Sequence, residues 1–164
     1  MPTSKVISMD SPRLIREKLI SATGRVLARE GFLRLGQELV AREAGVGQEN
    51  IRRYFQGLEG LVSAFGESGI FWPSAQELMQ LTREDFSELC PEKQMAAFYK
   101  GLLASLTSRP QTLDILAWES LERNEYSRKL EEVRVRTSLE YFENLRGDIP
   151  EDLDLSAIVA LLAG

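Results

Sequence analysis

The stretch "AREAGVGQENIRRYF", residues 41–55, combines a glycine turn with two different helix surfaces. Its alanines and the following Gly45 supply the small side chains and the tolerance of positive φ that a tight corner between helices needs. Ile51 and Phe55 lie four residues apart and predict the buried face of a helix that follows the corner. Two short helices that cross steeply require this pattern. The stretch therefore predicts a helix-turn-helix, which we place at residues 36–55.

Polar side chains occupy the outer face of the second predicted helix. Glutamine and asparagine can pair with adenine edges, arginine can bind guanine or phosphate, and tyrosine can reach a phosphate oxygen. A short solvent-facing helix that never meets DNA can carry the same residue types, so both interpretations stay open on composition alone. The candidate DNA-contacting residues are Gln48, Glu49, Asn50, Arg52, Arg53 and Tyr54.

The composition, 43% hydrophobic and 27% charged over 164 residues, is typical of a globular protein. The chain has no histidine and one cysteine, Cys90. These counts exclude Ser-His-Asp and Cys-His catalytic sites, histidine metal sites and an internal disulfide, and we expect neither metal nor cofactor. Cys90 before Pro91 is interpreted as a helix start. Without a signal-peptide core or an apolar run of roughly 18 residues, we expect a cytoplasmic protein with no membrane partner.

The net charge of -5 is unevenly distributed along the chain. Residues 1–70 hold ten Lys and Arg against eight Asp and Glu, a net charge of +2. Residues 71–164 hold ten against seventeen, a net charge of -7. An anionic partner such as the phosphate backbone of DNA is therefore expected to meet the first part.

Apolar periodicity predicts helices throughout, and no alternating run or hairpin turn indicates a strand, so the predicted fold class is all-α. Ser11-Pro12 predicts the first helix start, and Ser74 with Glu77 predicts a capping box after a break at Trp72-Pro73. The first predicted helix runs from Pro12 to a stop at "REGF", residues 29–32, and the next three span 37–44, 48–54 and 58 to about 69. The helical pattern restarts near 74. It continues with a helix from Pro91 to a stop at "SRP", residues 108–110, a helix up to Asn124 and a long helix over 124–146.

The final segment, "LSAIVALLAG" at 155–164, follows a predicted cap at Asp154 and is apolar to its end. We expect that the natural last helix continues past Gly164. A short, wholly buried final helix is the alternative.

Over about residues 12–68 the sequence resembles the N-terminal domain of TetR/AcrR-type transcriptional regulators. The segments "LISATGRVLAREGF" and "ELVAREAGVGQENIRRYFQGLEGLVSAF" carry the resemblance, through the Gly-Phe end of the first helix, the Ala-Gly-Val corner, the Tyr-Phe pair and the Glu-Gly-Leu that follows. It implies a three-helix DNA-binding domain followed by a helical ligand-binding and dimerisation domain. The implied divisions are a flexible N-terminus at 1–11, the DNA-binding domain at 12–57, a connecting helix at 58–70 and the effector-binding and dimerisation domain at 71–164.

The resemblance also implies a homodimeric repressor that leaves a double-stranded DNA operator when a small apolar or amphipathic effector binds. Residues 48–54 would form the recognition helix, with Arg53 and Tyr54 as DNA contacts. Three departures from the family pattern affect expected phosphate ligands: Gly36 for a usual Thr or Ser, Arg52 for a frequent Tyr and Leu58 for a common Lys. The cations that could replace them are Arg34, Arg42, Arg52 and Arg53.

Aromatic and methionine side chains in the second domain suit a cavity for an apolar effector, although the same side chains commonly fill a helical core. The candidate ligand-binding residues are Met95, Phe98, Tyr99, Trp118, Trp72 and Met79. By the resemblance, the long and final helices form the dimer interface, and an intramolecular core is the alternative for their apolar positions. The candidate interface residues are Tyr126, Val133, Tyr141, Leu145, Ile158 and Leu162.

Glycines surround the predicted fourth helix and indicate a compliant connection between the domains: Gly57, Gly60, Gly66 and Gly69. The three departures also support an alternative function, an all-helical interaction or ligand-sequestering protein that keeps the fold without operator binding. An enzyme is the third alternative, and the sequence contains no nucleophile-base pair or metal-ligand set that would indicate one.

Overall fold

The computed structural model describes residues 11–81, 89–144, 154 and 157. These residues form α-helices and no strand, which confirms the all-α class, and no helix among them is long and apolar enough to cross a bilayer. The helices are α1 (Pro12–Glu30), α2 (Gln37–Ala44), α3 (Glu49–Phe55), α4 (Leu58–Glu67), α5 (Ala75–Leu81), α6 (Pro91–Thr107), α7 (Pro110–Leu121) and α8 (Glu125–Asn144). Residues 1–10 and the interface candidates Leu145, Ile158 and Leu162 lie outside the described residues.

Helix starts follow the predicted capping signals. Ser11 Oγ accepts a hydrogen bond from the backbone nitrogen of Leu14 at 3.3 Å. Cys90 is the exposed residue that precedes α6. Asp154 Oδ1 accepts a hydrogen bond from the backbone nitrogen of Ala157 at 3.0 Å. Each oxygen satisfies an amide that has no partner within its own helix, which explains why local sequence is enough to place these starts.

The predicted capping box at α5 is only half formed. Ser74 Oγ accepts a hydrogen bond from the backbone nitrogen of Glu77 at 3.1 Å, but the Glu77 carboxylate binds Ser105 Oγ at 2.8 Å and Arg109 Nη2 at 2.7 Å. Burial acts to raise the pKa of the Glu77 carboxyl, and these hydrogen bonds outweigh it and lower the pKa. A tertiary contact between α5, α6 and the α6–α7 turn has therefore replaced the local one.

Helix α4 joins the two parts of the chain and is packed between α1 and α8. Close approach at both surfaces depends on glycine. A Cβ on Gly24 of α1 would lie 2.7 Å from the Phe65 ring, and one on Gly66 would lie 3.0 Å from Val133 of α8. Gly66 thus allows α4 and α8 to pack tightly, whereas the sequence had indicated a compliant connection between the domains at this helix.

The helices after α4 have a second, smaller core. Phe98 of α6 packs against Tyr141 and Phe142 of α8, with ring centroids 4.9 and 5.0 Å apart. Ala75 and Leu78 of α5 complete this cluster. The long amphipathic helix predicted over 124–146 is thus α8, whose buried face serves both this core and the packing of α4.

A buried ion pair joins α7 to α8. Glu119 and Arg134 hydrogen bond to each other, and their side chains are 7% and 8% exposed. Burial raises the pKa of the Glu119 carboxyl, and the hydrogen bond from Arg134 opposes this rise. The Arg134 guanidinium also lies 5.7 Å from the centre of the Trp72 ring. Because a buried charge that loses its partner is strongly destabilising, this pair restricts how α7 packs against α8.

Candidate DNA interface

The corner between α2 and α3 has the geometry that the sequence predicted. Gly45 adopts the left-handed conformation, with φ 67° and ψ 32°. The backbone nitrogens of Gly45 and Val46 donate to the carbonyls of Arg42 and Ala41 at 3.2 and 3.1 Å, which closes the end of α2. Ala44 is buried at this crossing.

Ion pairs attach α2 to α1. Glu43 Oε1 accepts from Arg25 Nε at 2.7 Å, and Glu43 Oε2 accepts from Arg29 Nη2 at 3.1 Å. These hydrogen bonds lower the pKa of the Glu43 carboxyl. Three buried α2 residues pack into the main core beside α1: Val40, Ala41 and Ala44. The helix that carries the corner is therefore held by both charge and apolar packing.

Helix α3 separates a buried face from an exposed one. Ile51 and Phe55 are 0% and 7% exposed and belong to the main core. Glu49, Arg52 and Arg53 are exposed, as is Gln48, which immediately precedes the helix. Residues three and four apart share a helix face, so these exposed side chains form one continuous surface. The structure thus places this part of the predicted DNA-contacting set together.

The other two candidates lie at the edges of this surface. Asn50 is partly buried, and its Nδ2 donates to the carbonyl of Gly47 at 3.1 Å, so part of its hydrogen-bonding capacity serves the turn. Tyr54 is partly buried against the main core. The Arg53 guanidinium lies 5.4 Å from the centre of the Tyr54 ring. This contact steadies Arg53 while its charge stays at the surface.

Arg16 is a further cation beside α3 that sequence reasoning missed. It is exposed on α1, and its guanidinium lies 5.2 Å from the centre of the Phe55 ring. Phe55 is at the C-terminal end of α3, so Arg16 extends the cationic surface from α3 onto α1. No local pattern could have revealed this, because the two residues meet only through the packing of α1 on α3.

The arginines of this domain divide into two groups. Arg13, Arg25, Arg29 and Arg34 form salt bridges with glutamates of the same domain. Along the described part of the chain, Arg16, Arg42, Arg52 and Arg53 take part in no salt bridge. Uncompensated cations of this kind are the groups that bind phosphate most strongly. Arg34 is the one predicted replacement cation that already has a carboxylate partner, Glu30, at 3.2 Å.

Two departures from the family pattern now have a location. Leu58 begins α4 and is 9% exposed within the main core, so it offers nothing to a phosphate. Gly36 precedes α2 in an extended conformation, with φ −151° and ψ 152°, and makes no side-chain cap. A Cβ on Gly36 would meet no atom within 4 Å. The space that a capping hydroxyl would occupy is therefore present and open.

Residues 19–65 match the sequence model of the bacterial regulatory proteins of the tetR family. The match spans more than half of α1, the whole predicted helix-turn-helix and most of α4. Residues 19–65 are thus a regulatory domain of the tetR type.

Two solved structures share the fold of most of this chain. NalD of Pseudomonas aeruginosa, the secondary repressor of the MexAB-OprM multidrug efflux pump, superposes with a TM-score of 0.59 at 15% identity, over 92% of this chain and 80% of its own. A TetR family transcription regulator from Marinobacter aquaeolei superposes with a TM-score of 0.52 at 15% identity, over 90% and 83%. At these identities the likeness shows a common fold. No curated protein sequence matches this chain significantly.

The predicted effector-lining residues separate into different environments. Met79 and Met95 pack around buried Phe98 in the second core cluster, so these three are together. Tyr99 is 46% exposed on α6, where the sequence predicted an interior position. Trp118 lies at the contact of α7 with α1, and its Nε1 donates to the carbonyl of Ala28 at 3.0 Å. Trp118 is thus a contact between the domains.

Trp72 lines a cleft of about 140 Å³ between α4 and α8. A second, open cleft of about 430 Å³ lies beside the α6–α7 turn and is lined by Ile70, Ser108, Arg109, Pro110 and Gln111. Pockets that enclose drug-sized ligands have volumes of roughly 300–1,000 Å³. The smaller cleft falls below this range, and the larger one is lined by none of the six predicted residues.

Two of the predicted interface residues are buried within the single chain. Val133 is 7% exposed beside Gly66 of α4, and Tyr141 is 0% exposed in the second core cluster. Tyr141 therefore agrees with the alternative of an intramolecular core, because its side chain is fully covered within the chain, and Val133 also lines the small cleft between α4 and α8. Tyr126 is partly exposed and packs at the edge of the main core.

Proposed function

We propose that this TetR-family protein is a cytoplasmic, homodimeric transcriptional repressor that releases its operator when a small apolar or amphipathic effector binds. One observation carries the proposal: Arg52 and Arg53 project from an exposed face of α3 with no carboxylate partner among the described residues, while the opposite face of α3 is buried. A helix that is fixed on one side and cationic on the other suits insertion into a major groove.

The proposed mechanism requires two copies of α3 at the spacing of successive major grooves, which are roughly 34–36 Å apart. Effector binding would favour a dimer in which this spacing no longer fits. Helix α4 supports such coupling, because it packs on α1 of the DNA-binding domain and on α8 of the second domain. Ion pairs join α4 to α8 at both ends: Glu59 with Lys129 at 2.8 Å and Glu67 with Arg136 at 2.5 Å.

The second candidate function is a TetR-like fold that no longer binds an operator and instead sequesters a ligand or a partner. Buried Leu58 favours it, since a phosphate-binding lysine is common at this position in the family. Exposed Glu49 also places a negative charge beside the cationic surface of α3. Both features weaken DNA binding without affecting the fold.

A salt-dependent gel shift separates these functions. The full chain is tested against the promoters of its own gene and of the neighbouring gene, with an unrelated fragment of equal length as the control. A repressor is expected to prefer one promoter, and its log affinity should fall linearly with log salt concentration because phosphate contacts release counterions. If the chain is a dimer by sedimentation and shows no preference at low salt, the repressor proposal is wrong and the sequestering function is favoured.

Gly36 offers a gain-of-function prediction. Gly36→Ser is expected to tighten operator binding by about threefold to tenfold, because the new hydroxyl caps α2 and donates to a phosphate, and a typical hydrogen bond is worth about 0.5–1.5 kcal/mol. The open space around Gly36 means that the folded protein should not be strained. Fluorescence anisotropy with labelled operator measures the change. Gly36→Ala is the matched control, since it adds the Cβ without the hydroxyl, and equal affinity of the two variants would contradict the prediction.

A further inference from the structure

The end of α7 and the α7–α8 turn bind the end of α1 through hydrogen bonds that we name the Glu122 contact. Glu122 Oε2 accepts from the backbone nitrogens of Phe32 and Leu33 at 2.6 and 3.0 Å. The contact also includes two bonds to backbone carbonyls: Trp118 Nε1 to Ala28 at 3.0 Å and Asn124 Nδ2 to Phe32 at 3.4 Å. The DNA-binding domain contributes only backbone atoms.

The Glu122 contact satisfies groups that α1 leaves unpaired. Phe32 is 1% exposed, so its backbone amide cannot be solvated and needs a protein acceptor. Gly31 has φ 77°, and a Cβ there would lie 2.6 Å from Glu122 Oε2 and 2.9 Å from the Trp118 ring. Glycine at this position is therefore required by the approach of α7 as well as by its own backbone conformation.

The same contact is attached to α8. Asn124 Oδ1 accepts hydrogen bonds from the backbone nitrogens of Tyr126 and Ser127 at 3.0 and 3.1 Å and so caps α8. Any movement of α7 or of the start of α8 relative to α1 would stretch the bonds to Phe32 and Leu33. The second domain thus holds the DNA-binding domain through the packing of α7 on α1 and, at the end of α1, through the Glu122 contact, in addition to α4.

We propose that Glu122 is a positioning residue whose carboxylate fixes the orientation of the DNA-binding domain relative to the second domain. This proposal rests on the proposed function, because a fixed orientation matters where two α3 helices must match two major grooves. The Glu122 contact binds the end of α1 to the end of α7 and to the start of α8, so effector-induced movement of these helices has a direct route to the DNA-binding domain.

Spin-label distance measurement tests this orientation without DNA. Cys90 is exposed and is the sole cysteine of the sequence, so it labels the second domain, and Glu38→Cys on exposed α2 labels the DNA-binding domain. Labelled chain is mixed with an excess of unlabelled Cys90→Ser chain to isolate distances within one subunit. In the doubly labelled chain with Glu122 unaltered, we expect one narrow distance distribution. Glu122→Ala should give a broad or shifted distribution. Glu122→Gln should restore the narrow distribution, because the amide keeps an acceptor oxygen.

Two controls separate positioning from general destabilisation. Amide hydrogen exchange at Phe32 and Leu33 should become faster by about tenfold or more in Glu122→Ala, since the charged acceptor is lost. Glu131→Ala removes a carboxylate that pairs with Arg123 at 3.4 Å in the same region, and it should leave both the distances and these amides unchanged. Faster exchange with an unchanged distance distribution would overturn the proposal.

Operator binding then distinguishes the two proposals. If Glu122 positions the domain, Glu122→Ala should lower specific operator affinity by about tenfold while non-specific binding and its salt dependence stay the same, because the cationic surface of α3 is intact. Equal losses in specific and non-specific binding would contradict a positioning role. If the unaltered chain binds no operator but the distance distribution still broadens in Glu122→Ala, the positioning proposal stands and the repressor function fails.

Discussion

The double substitution Arg52→Ala with Arg53→Ala is expected to lower operator affinity by at least a hundredfold. Both guanidiniums are exposed on α3 and have no salt-bridge partner among the described residues, so under the proposed function they are free to pair with DNA. An arginine that pairs with a base contributes about 1–3 kcal/mol of discrimination, and each phosphate contact adds about one to the slope of log affinity against log salt. Anisotropy titrations at several salt concentrations measure both quantities.

The matched control removes the same charge elsewhere. Lys93 and Lys100 are exposed on α6, so replacing both with alanine changes the net charge equally without altering α3. This control should bind the operator with nearly the affinity of the unaltered chain. If both double variants lose the same affinity, the effect comes from net charge, and the assignment of α3 as the recognition helix is wrong.

Gly60→Ala is expected to lower the free energy of unfolding by about 2 kcal/mol. A Cβ on Gly60 would lie 1.9 Å from the carbonyl oxygen of Phe55, a backbone atom that can move only if the α3–α4 junction shifts. Alanine is a better helix former than glycine by about 1 kcal/mol, but this gain does not offset so severe a clash. In a chain of this length the melting temperature should fall by roughly 4–8 °C, measured by circular dichroism.

Gly36→Ser provides the comparison for this prediction. It also adds a side chain at a glycine of the DNA-binding domain, but into open space, and its melting temperature should stay the same or rise. Because Phe55 is the last residue of α3, Gly60→Ala should also disturb this recognition helix and weaken operator binding. An unchanged melting temperature in Gly60→Ala would contradict the prediction, because it would show that the α3–α4 junction can shift with little loss of free energy of unfolding.

The candidate DNA interface was largely predictable because its parts are close in sequence. Gly45 and the buried faces of α2 and α3 follow from local periodicity and turn chemistry, which act within one or two helical turns. The exposed positions of Arg52 and Arg53 follow from the same pattern. Arg16 was not predictable, since it meets Phe55 through the packing of two separate helices.

The second domain was predicted less well for the same reason. Aromatic and methionine periodicity identifies apolar faces but not the helix that each face meets. Trp118 was a candidate for an effector cavity or for core packing, and its Nε1 binds the carbonyl of Ala28 in α1. Tyr141 was a candidate for a dimer interface or for the core, and it packs against Phe98 of α6. The Glu77 side chain was predicted to complete a capping box at α5, but its carboxylate binds Arg109.

By itself, the sequence determined the all-α class, the helix-turn-helix and its polar face, because capping, turn and amphipathic signals act between near neighbours in the chain. Only the tertiary structure decided how the two domains are held together. Glu122 and Phe32 are far apart in the sequence. Because the Glu122 carboxylate binds backbone amides, which every residue type has, no pair of side chains in the sequence indicates this contact. The tertiary structure also decided which glycines permit close packing, since Gly60 and Gly66 lie on the same helix and differ in the atoms that pack against them.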